Sequence, residues 1–326
     1  MVAIPFSQFR HTAQDAGLAG FILLTAMLLL PTLLPGKMGW MTSLIPLPIF
    51  YYLVVLGKRN GMILVRNALL LSAGGALLFG SMPIFIFAFT MLPLGIAFTH
   101  ALNNRQTPVK AGLVGAMLLA TSWGVFWSGL GMLHQTNPYT LLLTELDTGL
   151  TGSLMMYEKS TELAPETLHS VRNAIEVVRF YIPKILPALL FSAILTITWL
   201  NLSVGNWLLP KKAKGLSYWP EYNAWKLPES LVWLVVAGGI AVFLLPAPLG
   251  TIGLNVLIIS TTLYFFQGMA IVASLLNRWS VPRLLRVLIY TLIFIQTYGI
   301  IILSFLGLAD VWADFRKLNS AATIQK

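Results

Sequence analysis

From Thr251 to Asn277 the sequence runs without a single charged side chain. A helix needs about 20 apolar residues to cross the hydrocarbon core of a bilayer, so this run is long enough for a complete span. Other segments of the chain are similarly apolar. The candidate spans are residues 17–34, 40–57, 62–80, 83–100, 111–133, 181–204, 229–246, 251–276 and 284–308.

The composition agrees with a membrane protein. Of the 326 residues, 57% are hydrophobic and only 10% are charged, whereas a soluble domain carries about 25% charged residues. We therefore expect one all-α integral membrane domain over residues 1–326, a polytopic transmembrane helix bundle of about eight to nine spans in a lipid bilayer. The first apolar run lacks a small-residue cleavage site, so we expect it to be retained as a span.

The division of charge between the two sides predicts the topology. If all nine segments cross, the side that holds the N-terminus carries 13 basic and three acidic residues, against eight of each on the other side. If residues 62–100 crossed only once, the basic residues would divide 11 to 10. The positive-inside rule favours the first arrangement, with a cytoplasmic N-terminus in a bacterial inner membrane.

Two points of topology stay open at this level. Residues 62–100 cross an even number of times, either as two helices joined at Gly80–Pro83 or as a re-entrant pair. Nine spans would leave the C-terminus outside, although the charged residues after Leu308 would be equally at home on the cytoplasmic surface.

Two long loops separate the spans. Loop 134–180 is extracytoplasmic in this topology and acidic, and Leu168, Val171, Ile175 and Val178 recur in it at helical spacing. This spacing predicts an amphipathic helix on the outer surface or capping the bundle. Loop 205–228 is cytoplasmic and interleaves lysines with aromatic residues, which is typical of an interfacial anchor. The residues that carry this second pattern are Lys211, Lys212, Lys214, Tyr218, Trp219, Tyr222 and Trp225.

The sequence lacks the motifs of the common catalytic and metal-binding proteins. It has no cysteine, no G-x-x-x-x-G-K-[ST], no H-E-x-x-H and no G-x-S-x-G. Its four histidines are dispersed along the chain. We therefore expect no enzymatic activity, no bound metal and no cofactor. In a membrane protein a net charge of +10 need not imply nucleic-acid binding, and we expect no nucleic-acid partner.

The candidate binding residues are neutral polar and aromatic side chains inside the spans. Such groups either line a ligand site or join helices by hydrogen bonds. Gly253, Ser260, Gln267 and Ser274 are spaced by seven residues and share one helix face, which predicts a packing seam with Gln267 at its centre. Gln296 is the expected partner of Gln267. The full set of candidates is Trp123, Trp127, Asn201, Asn255, Gln267 and Gln296.

Three segments of the C-terminal third carry a resemblance to a known family. They are Trp225–Glu229, the pair Ile252–Asn255 and Tyr264–Ala270, and Val281–Tyr290 together with the end of the last span at Leu306–Lys317. The sequence there resembles the YybS-like family of uncharacterised bacterial multi-pass membrane proteins. That family is distantly similar to the substrate-binding (S) components of energy-coupling factor transporters, which bind a vitamin and act with a membrane scaffold and ATPases.

The resemblance implies an S-component-like core and a role in transport, with scaffold and ATPase subunits as partners. Ala16 and Gly20 on the first helix are then the residues expected to meet the scaffold. The first hypothesis is a substrate-binding or transport-related subunit for a small organic molecule such as a vitamin, with a pocket beneath loop 134–180. The alternative hypothesis is a structural or assembly subunit of a membrane complex, with a filled interior.

Overall fold

The structure is a computed structural model that describes residues 6–159, 165–209 and 219–316. All regular elements in these ranges are helices, which confirms the all-α polytopic fold. The chain divides into two compact units, Met1–Phe126 with Ile194–Glu221, and Trp127–Ala193 with Tyr222–Lys326. Lys211, Lys212, Lys214 and Tyr218 of the predicted basic loop, and Glu162 of the acidic loop, lie outside the described residues.

Each predicted apolar segment is helical over most of its length, and α2 and α8 lie outside these segments. In chain order they are α1 (Phe6–Leu33), α2 (Pro35–Met38), α3 (Pro46–Val55), α4 (Gly57–Leu78), α5 (Met82–Phe89), α6 (Leu92–Asn103), α7 (Pro108–Leu133), α8 (Pro138–Glu158), α9 (Pro165–Leu208), α10 (Val232–Leu244), α11 (Leu249–Arg278), α12 (Arg283–Ile295) and α13 (Thr297–Ala313). Short 3-10 turns cover Gly39–Leu44, Tyr222–Ala224 and Glu229–Leu231.

Among the described residues, five helices are long and apolar enough to cross a membrane, or seven if two bent pairs each count as one span. Two shorter apolar helices, Gly17–Leu33 and Glu229–Leu244, match the other two predicted spans. The region 62–100 forms two helical stretches of 22 residues, Gly57–Leu78 and Met82–Asn103. Gly80 joins them with φ +67, a left-handed conformation that glycine adopts readily. Each stretch is long enough to cross by itself.

The last predicted span is not a straight helix. α12 and α13 are bent by 103° at Gln296, whose extended backbone (φ −91, ψ 115) ends one helix and begins the next. Hydropathy is continuous through this point, so the sequence pattern does not show the break. The C-terminal end of α13 contacts Asn223 and Trp225 of loop 205–228.

The first unit packs its core around aromatic rings. The Phe50 ring lies edge-on to Phe98 and stacks on Trp219, with ring centroids 5.8 and 5.9 Å apart. Trp219 Nε1 donates a hydrogen bond of 2.7 Å to the carbonyl oxygen of Gln106. An aromatic residue predicted to anchor at the membrane interface is therefore 93% buried in the protein, since its exposure is 7%.

The amphipathic helix predicted within loop 134–180 is the N-terminal part of α9 rather than a separate element. α9 runs for 44 residues, which is about 66 Å and roughly twice the hydrocarbon thickness of a bilayer. Its first half pairs with α8 to form a hairpin, called the α8–α9 hairpin below (residues 138–158 and 165–183). Arg172 Nη2 binds Glu158 at 2.6 Å, and Arg179 Nε binds Asp147 at 2.7 Å.

Candidate functional site

Gln267 lies on α11 in the second unit and is 3% exposed. Its Nε2 donates to Asp310 Oδ2 at 3.1 Å, and its Oε1 accepts from the Leu227 backbone N–H at 3.1 Å. The carboxamide therefore joins three parts of the chain, α11, α13 and the segment that precedes α10. Gln296, the predicted partner, is not one of them.

A buried ion pair stands beside Gln267. Asp310 and Arg316 are joined by a contact of 2.8 Å between Oδ2 and Nη2, and each side chain is only 1% exposed. Asp310 Oδ1 also accepts the Phe315 N–H at 2.9 Å. Asp314 makes this possible because it has φ +41, a left-handed conformation that ends α13 and turns the chain back towards Asp310.

Arg316 also holds a second segment of backbone. Its Nη1 donates to the carbonyl oxygens of Asn223 at 3.0 Å and Trp225 at 2.6 Å. The Tyr222 hydroxyl donates to the Phe266 carbonyl oxygen. Residues 222–227 are thus tied to α11 at two adjacent positions and to the end of α13 by one guanidinium. We call this arrangement of Gln267, Asp310, Arg316 and residues 222–227 the C-terminal clasp.

Glycines bring α11 and α13 into backbone contact next to the clasp. A Cβ at Gly268 would lie 2.0 Å from the Leu303 carbonyl oxygen, and one at Gly307 would lie 2.0 Å from the Tyr264 carbonyl oxygen. Small residues at a crossing allow this close approach. Leu303, Gly307 and Asp310 are spaced i, i+4 and i+7, so they share one face of α13. The ion pair is therefore buried because its carboxylate lies on the packing face.

The predicted seam along α11 is present in part. Gly253 faces α10, where an added Cβ would lie 2.6 Å from Ala241 Cβ and 2.8 Å from the Gly238 carbonyl oxygen. Ser260 and Gln267 are buried, and Ser274 is half-buried. The closest helix contact, at Gly268, is one residue away from this seam, and the sequence analysis missed it.

Asn255 hydrogen-bonds to backbone groups of α9 near a proline that interrupts the helical bonding. Pro187 of α9 has no N–H and disturbs the local i to i−4 bonding. Asn255 Oδ1 accepts the Ala188 N–H at 2.9 Å, and its Nδ2 donates to the Lys184 carbonyl oxygen at 2.8 Å. The side chain therefore occupies the place of the Ala188–Lys184 backbone hydrogen bond. Both ends of this carboxamide are used in helix packing.

Asn201 has a similar role in the first unit. Its side chain is 1% exposed, and Nδ2 donates to the carbonyl oxygens of Ser43 at 2.7 Å and Ile197 at 2.8 Å. Its Oδ1 has no hydrogen-bond partner among the described residues. Asn201 thus fixes the 3-10 turn Gly39–Leu44 against α9.

The other candidates are dispersed. Trp123 is half-buried on α7 with its ring 5.6 Å from the Phe87 ring, and Trp127 is half-buried in the second unit. Gln296 is exposed at the bend between α12 and α13. On α1, Gly20 is buried and an added Cβ would lie 2.7 Å from the Tyr52 ring, while the side chain of Ala16 lies outside the described residues. The structure does not gather the six predicted ligand residues into one site.

Two hollows in the described part of the chain are open to solvent. They hold about 220 and 270 Å³, below the roughly 300 Å³ at which small-molecule pockets usually begin. The first lies in the α8–α9 hairpin and is lined by Leu143, Leu146, Asp147, Leu150, Arg179, Ile182 and Pro183. The second lies at the bend and includes Gln296. Gln267 lines neither of them.

The described residues contain no group of three or more His, Asp or Glu side chains that could hold a metal ion. The clasp has one carboxylate and one guanidinium already paired with each other. Its arrangement is suited to holding backbone segments together. Sequence reasoning missed Asp310 and Arg316 because they follow the last apolar run, where charged residues usually face water. The signal that could have identified Asp310 is its spacing on the same face as Gly307.

Comparison with known proteins gives a family without an assigned activity. No curated protein and no solved structure matches the chain. A family model described as "Predicted membrane protein (DUF2232)" matches residues 22–311, which includes Gln267 and Asp310 of the clasp. The chain therefore belongs to the DUF2232 family of predicted membrane proteins.

Proposed function

We propose that the protein is a non-enzymatic subunit of a membrane protein complex, with a structural or assembly role. One observation carries this proposal. Two carboxamides that would meet a substrate are engaged in joining helices, the buried Gln267 in the clasp and the half-buried Asn255 on the α9 backbone. A binding site built from these groups would have to break the contacts that hold the second unit together.

The α8–α9 hairpin is the element best suited to meet a partner. α9 is about twice as long as a span requires, so its first half and α8 extend beyond the hydrocarbon region. Near the C-terminal end of α8, Met155, Met156 and Tyr157 are exposed, Met156 to 77%. Methionine and tyrosine are enriched in protein interfaces. In the topology that charge predicts, this surface faces the outside of a bacterial inner membrane with a cytoplasmic N-terminus.

Photo-cross-linking in native membranes tests the assembly role. A photoreactive amino acid at Met156, in the full chain expressed in its own host, should give one defined adduct with another membrane or surface protein. The matched control is the same label at Phe243, which is 85% exposed at the end of α10 and is expected to face lipid. Absence of a defined adduct at Met156, or the same adducts from both positions, would contradict the proposal.

A substrate-binding subunit that acts with separate scaffold and ATPase subunits remains the second candidate. The hollow in the α8–α9 hairpin favours it, since most of its lining residues belong to loop 134–180, beneath which this hypothesis places the pocket. The hollow also has Asp147 and Arg179 beside leucines. The resemblance to the YybS-like family and to transporter S components also belongs to this candidate. Its test is a thermal-shift screen of vitamins and related metabolites. A stabilising compound that loses its effect in Arg179→Gln would support this candidate over the assembly role.

A further inference from the structure

The turn from α11 into α12 carries an unusual concentration of positive charge. Arg278, Arg283 and Arg286 lie within nine residues, and residues 230–309 contain no aspartate or glutamate. Arg286 folds inward, where Nε donates to the Val281 carbonyl oxygen at 2.8 Å and Nη2 to the Leu276 carbonyl oxygen at 3.1 Å. These bonds fix the turn and leave two arginines for other contacts.

Arg278 and Arg283 face outward. Both are exposed, and within the described residues neither has an ion-pair or hydrogen-bond partner. Trp279 lies between them along the chain and is 67% exposed. Tryptophan is enriched at the level of lipid headgroups, and arginines near the cytoplasmic surface attract anionic lipids.

α12 has the shape of a helix that lies in the membrane surface. Its 13 residues span about 20 Å, too little to cross a hydrocarbon core of roughly 30 Å. Leu284, Leu288, Leu292 and Ile295 form one exposed apolar stripe, since their spacing of four, four and three residues keeps them on one face. Arg283 is the first residue of α12 and lies about 100° around the helix axis from Leu284. Such an amphipathic pattern with arginine beside an apolar face is typical of interfacial helices.

The bend at Gln296 determines which helix lies in the plane. At 103° the two axes are nearly perpendicular, so both cannot follow the membrane normal within the ordinary tilt of about 20°. α13 has 17 residues that are mostly apolar, and Tyr298, Ile302 and Phe305 are exposed on it. α13 is therefore the inserted helix, and α12 runs along the surface.

We propose that α12, together with Arg278, Trp279 and Arg283, is an in-plane membrane-surface helix that binds the headgroups of anionic phospholipids. The chemistry of this surface indicates which molecule binds it. The apolar stripe requires acyl chains on one side. On the other side, two guanidiniums that have no partner among the described residues require negative charge. The phospholipids of the surrounding bilayer provide both in the same molecule.

The first experiment measures the depth of α12. The full chain contains no cysteine, so single cysteines at Leu284, Leu288, Leu292 and Ile295 can carry a spin label without background. An in-plane helix gives nearly equal depths at all four positions. A crossing helix would give a difference of about 16 Å between the first and the last, and that result would overturn the proposal. Cysteines at Tyr298, Ile302 and Phe305 on α13 provide the reference series of changing depth.

The second experiment measures lipid selectivity. A bimane label on Leu284→Cys is quenched by brominated phosphatidylglycerol or brominated phosphatidylcholine in vesicles, which gives their relative association constants. We expect a preference for phosphatidylglycerol that falls by roughly fivefold for each arginine removed, and so about 25-fold in Arg278→Gln/Arg283→Gln. The matched control is Lys58→Gln/Arg59→Gln, which removes two exposed charges predicted to lie on the same side and should retain the preference.

Two outcomes would overturn the headgroup assignment. One is equal quenching by the two lipids in the labelled protein that retains both arginines. The other is a phosphatidylglycerol preference that the arginine variants leave unchanged or that the control abolishes. Since Arg278 and Arg283 are exposed and have no partner in the part of the chain that the structure describes, their replacement should leave the melting temperature of the protein unchanged.

Discussion

The C-terminal clasp and the α8–α9 hairpin both use arginine–carboxylate pairs, but in opposite surroundings. In the clasp, Asp310 and Arg316 are each 1% exposed. In the hairpin, Arg179 and Asp147 are 32% and 56% exposed, and Arg172 and Glu158 are 54% and 36% exposed. Contact distances of 2.6 to 2.8 Å are similar in the two regions. The contact distances therefore do not distinguish the pairs by their contribution to stability, whereas the burial of the side chains does.

Burial matters because the cost of a lost partner depends on solvent. An exposed charge that loses its partner is taken up by water, and such pairs contribute little to stability. A buried charge that loses its partner stays in a medium of low dielectric constant. We therefore expect the clasp to control the stability of the second unit and the hairpin pairs to have a minor effect.

The largest effect is expected for Asp310→Asn. This change leaves the Arg316 guanidinium buried without its counter-charge, and the free energy of unfolding should fall by about 3–5 kcal/mol. Titration of the purified protein with denaturing detergent, followed by circular dichroism, measures it. The double variant Asp310→Leu/Arg316→Leu removes both charges and should lose less than the single variant. A double variant that is the less stable of the two would contradict this explanation.

The second effect concerns the helix crossing beside the clasp. In Gly307→Ala the new methyl group would overlap the Tyr264 carbonyl oxygen, so α11 and α13 must separate. Overpacking of this kind typically costs about 1–3 kcal/mol. In the hairpin, Gly149 has no atom within 4 Å of an added Cβ, and Gly149→Ala should instead stabilise the helix by about 0.5–1 kcal/mol. Equal melting temperatures for the two variants would contradict a backbone contact this close between α11 and α13.

The third effect concerns the neutral member of the clasp. Gln267→Leu leaves the Leu227 N–H without its acceptor and removes one donor from Asp310. Loss of a buried partner costs about 1–3 kcal/mol, so the melting temperature in detergent should fall. Gln296→Leu is the control, because that side chain is exposed and should tolerate the change. If Gln267→Leu and Gln296→Leu both melt like the unmodified protein, Gln267 does not fasten the helices.

The smallest effect is expected in the hairpin. Arg172→Gln removes an exposed ion pair, and Arg179→Gln removes pairs between a half-buried arginine and exposed carboxylates, all of which salt already screens. We expect melting temperatures close to that of the unmodified protein, at both low and high ionic strength. Arg316→Gln, the same substitution at the buried pair, should destabilise the protein clearly. A loss in either hairpin variant as large as that in Arg316→Gln would mean that burial does not distinguish the two regions.

The sequence supported some parts of the candidate site and not others. The position of Gln267 on a packing face of α11 followed from its spacing with Gly253 and Ser260, and both are buried. Its partners could not be predicted, because Leu227 and Asp310 are 40 and 43 residues away. Gln296 was the predicted partner of Gln267 because it is a polar residue within a predicted span. The backbone break between α12 and α13 instead places it on the protein surface. Hydropathy reports how apolar a segment is and carries no information about its bends.

The apolar runs by themselves determined that this is an all-α, multi-pass membrane protein, because a run such as 251–277 can satisfy its backbone in lipid as a helix. Only the tertiary structure determined that the charged pair near the end of the chain is buried. Asp310 and Arg316 lie beyond the last apolar stretch and by pattern belong in water. They are buried because glycines let α11 and α13 touch and residues 222–227 cover the pair. Such long-range contacts are absent from local periodicity.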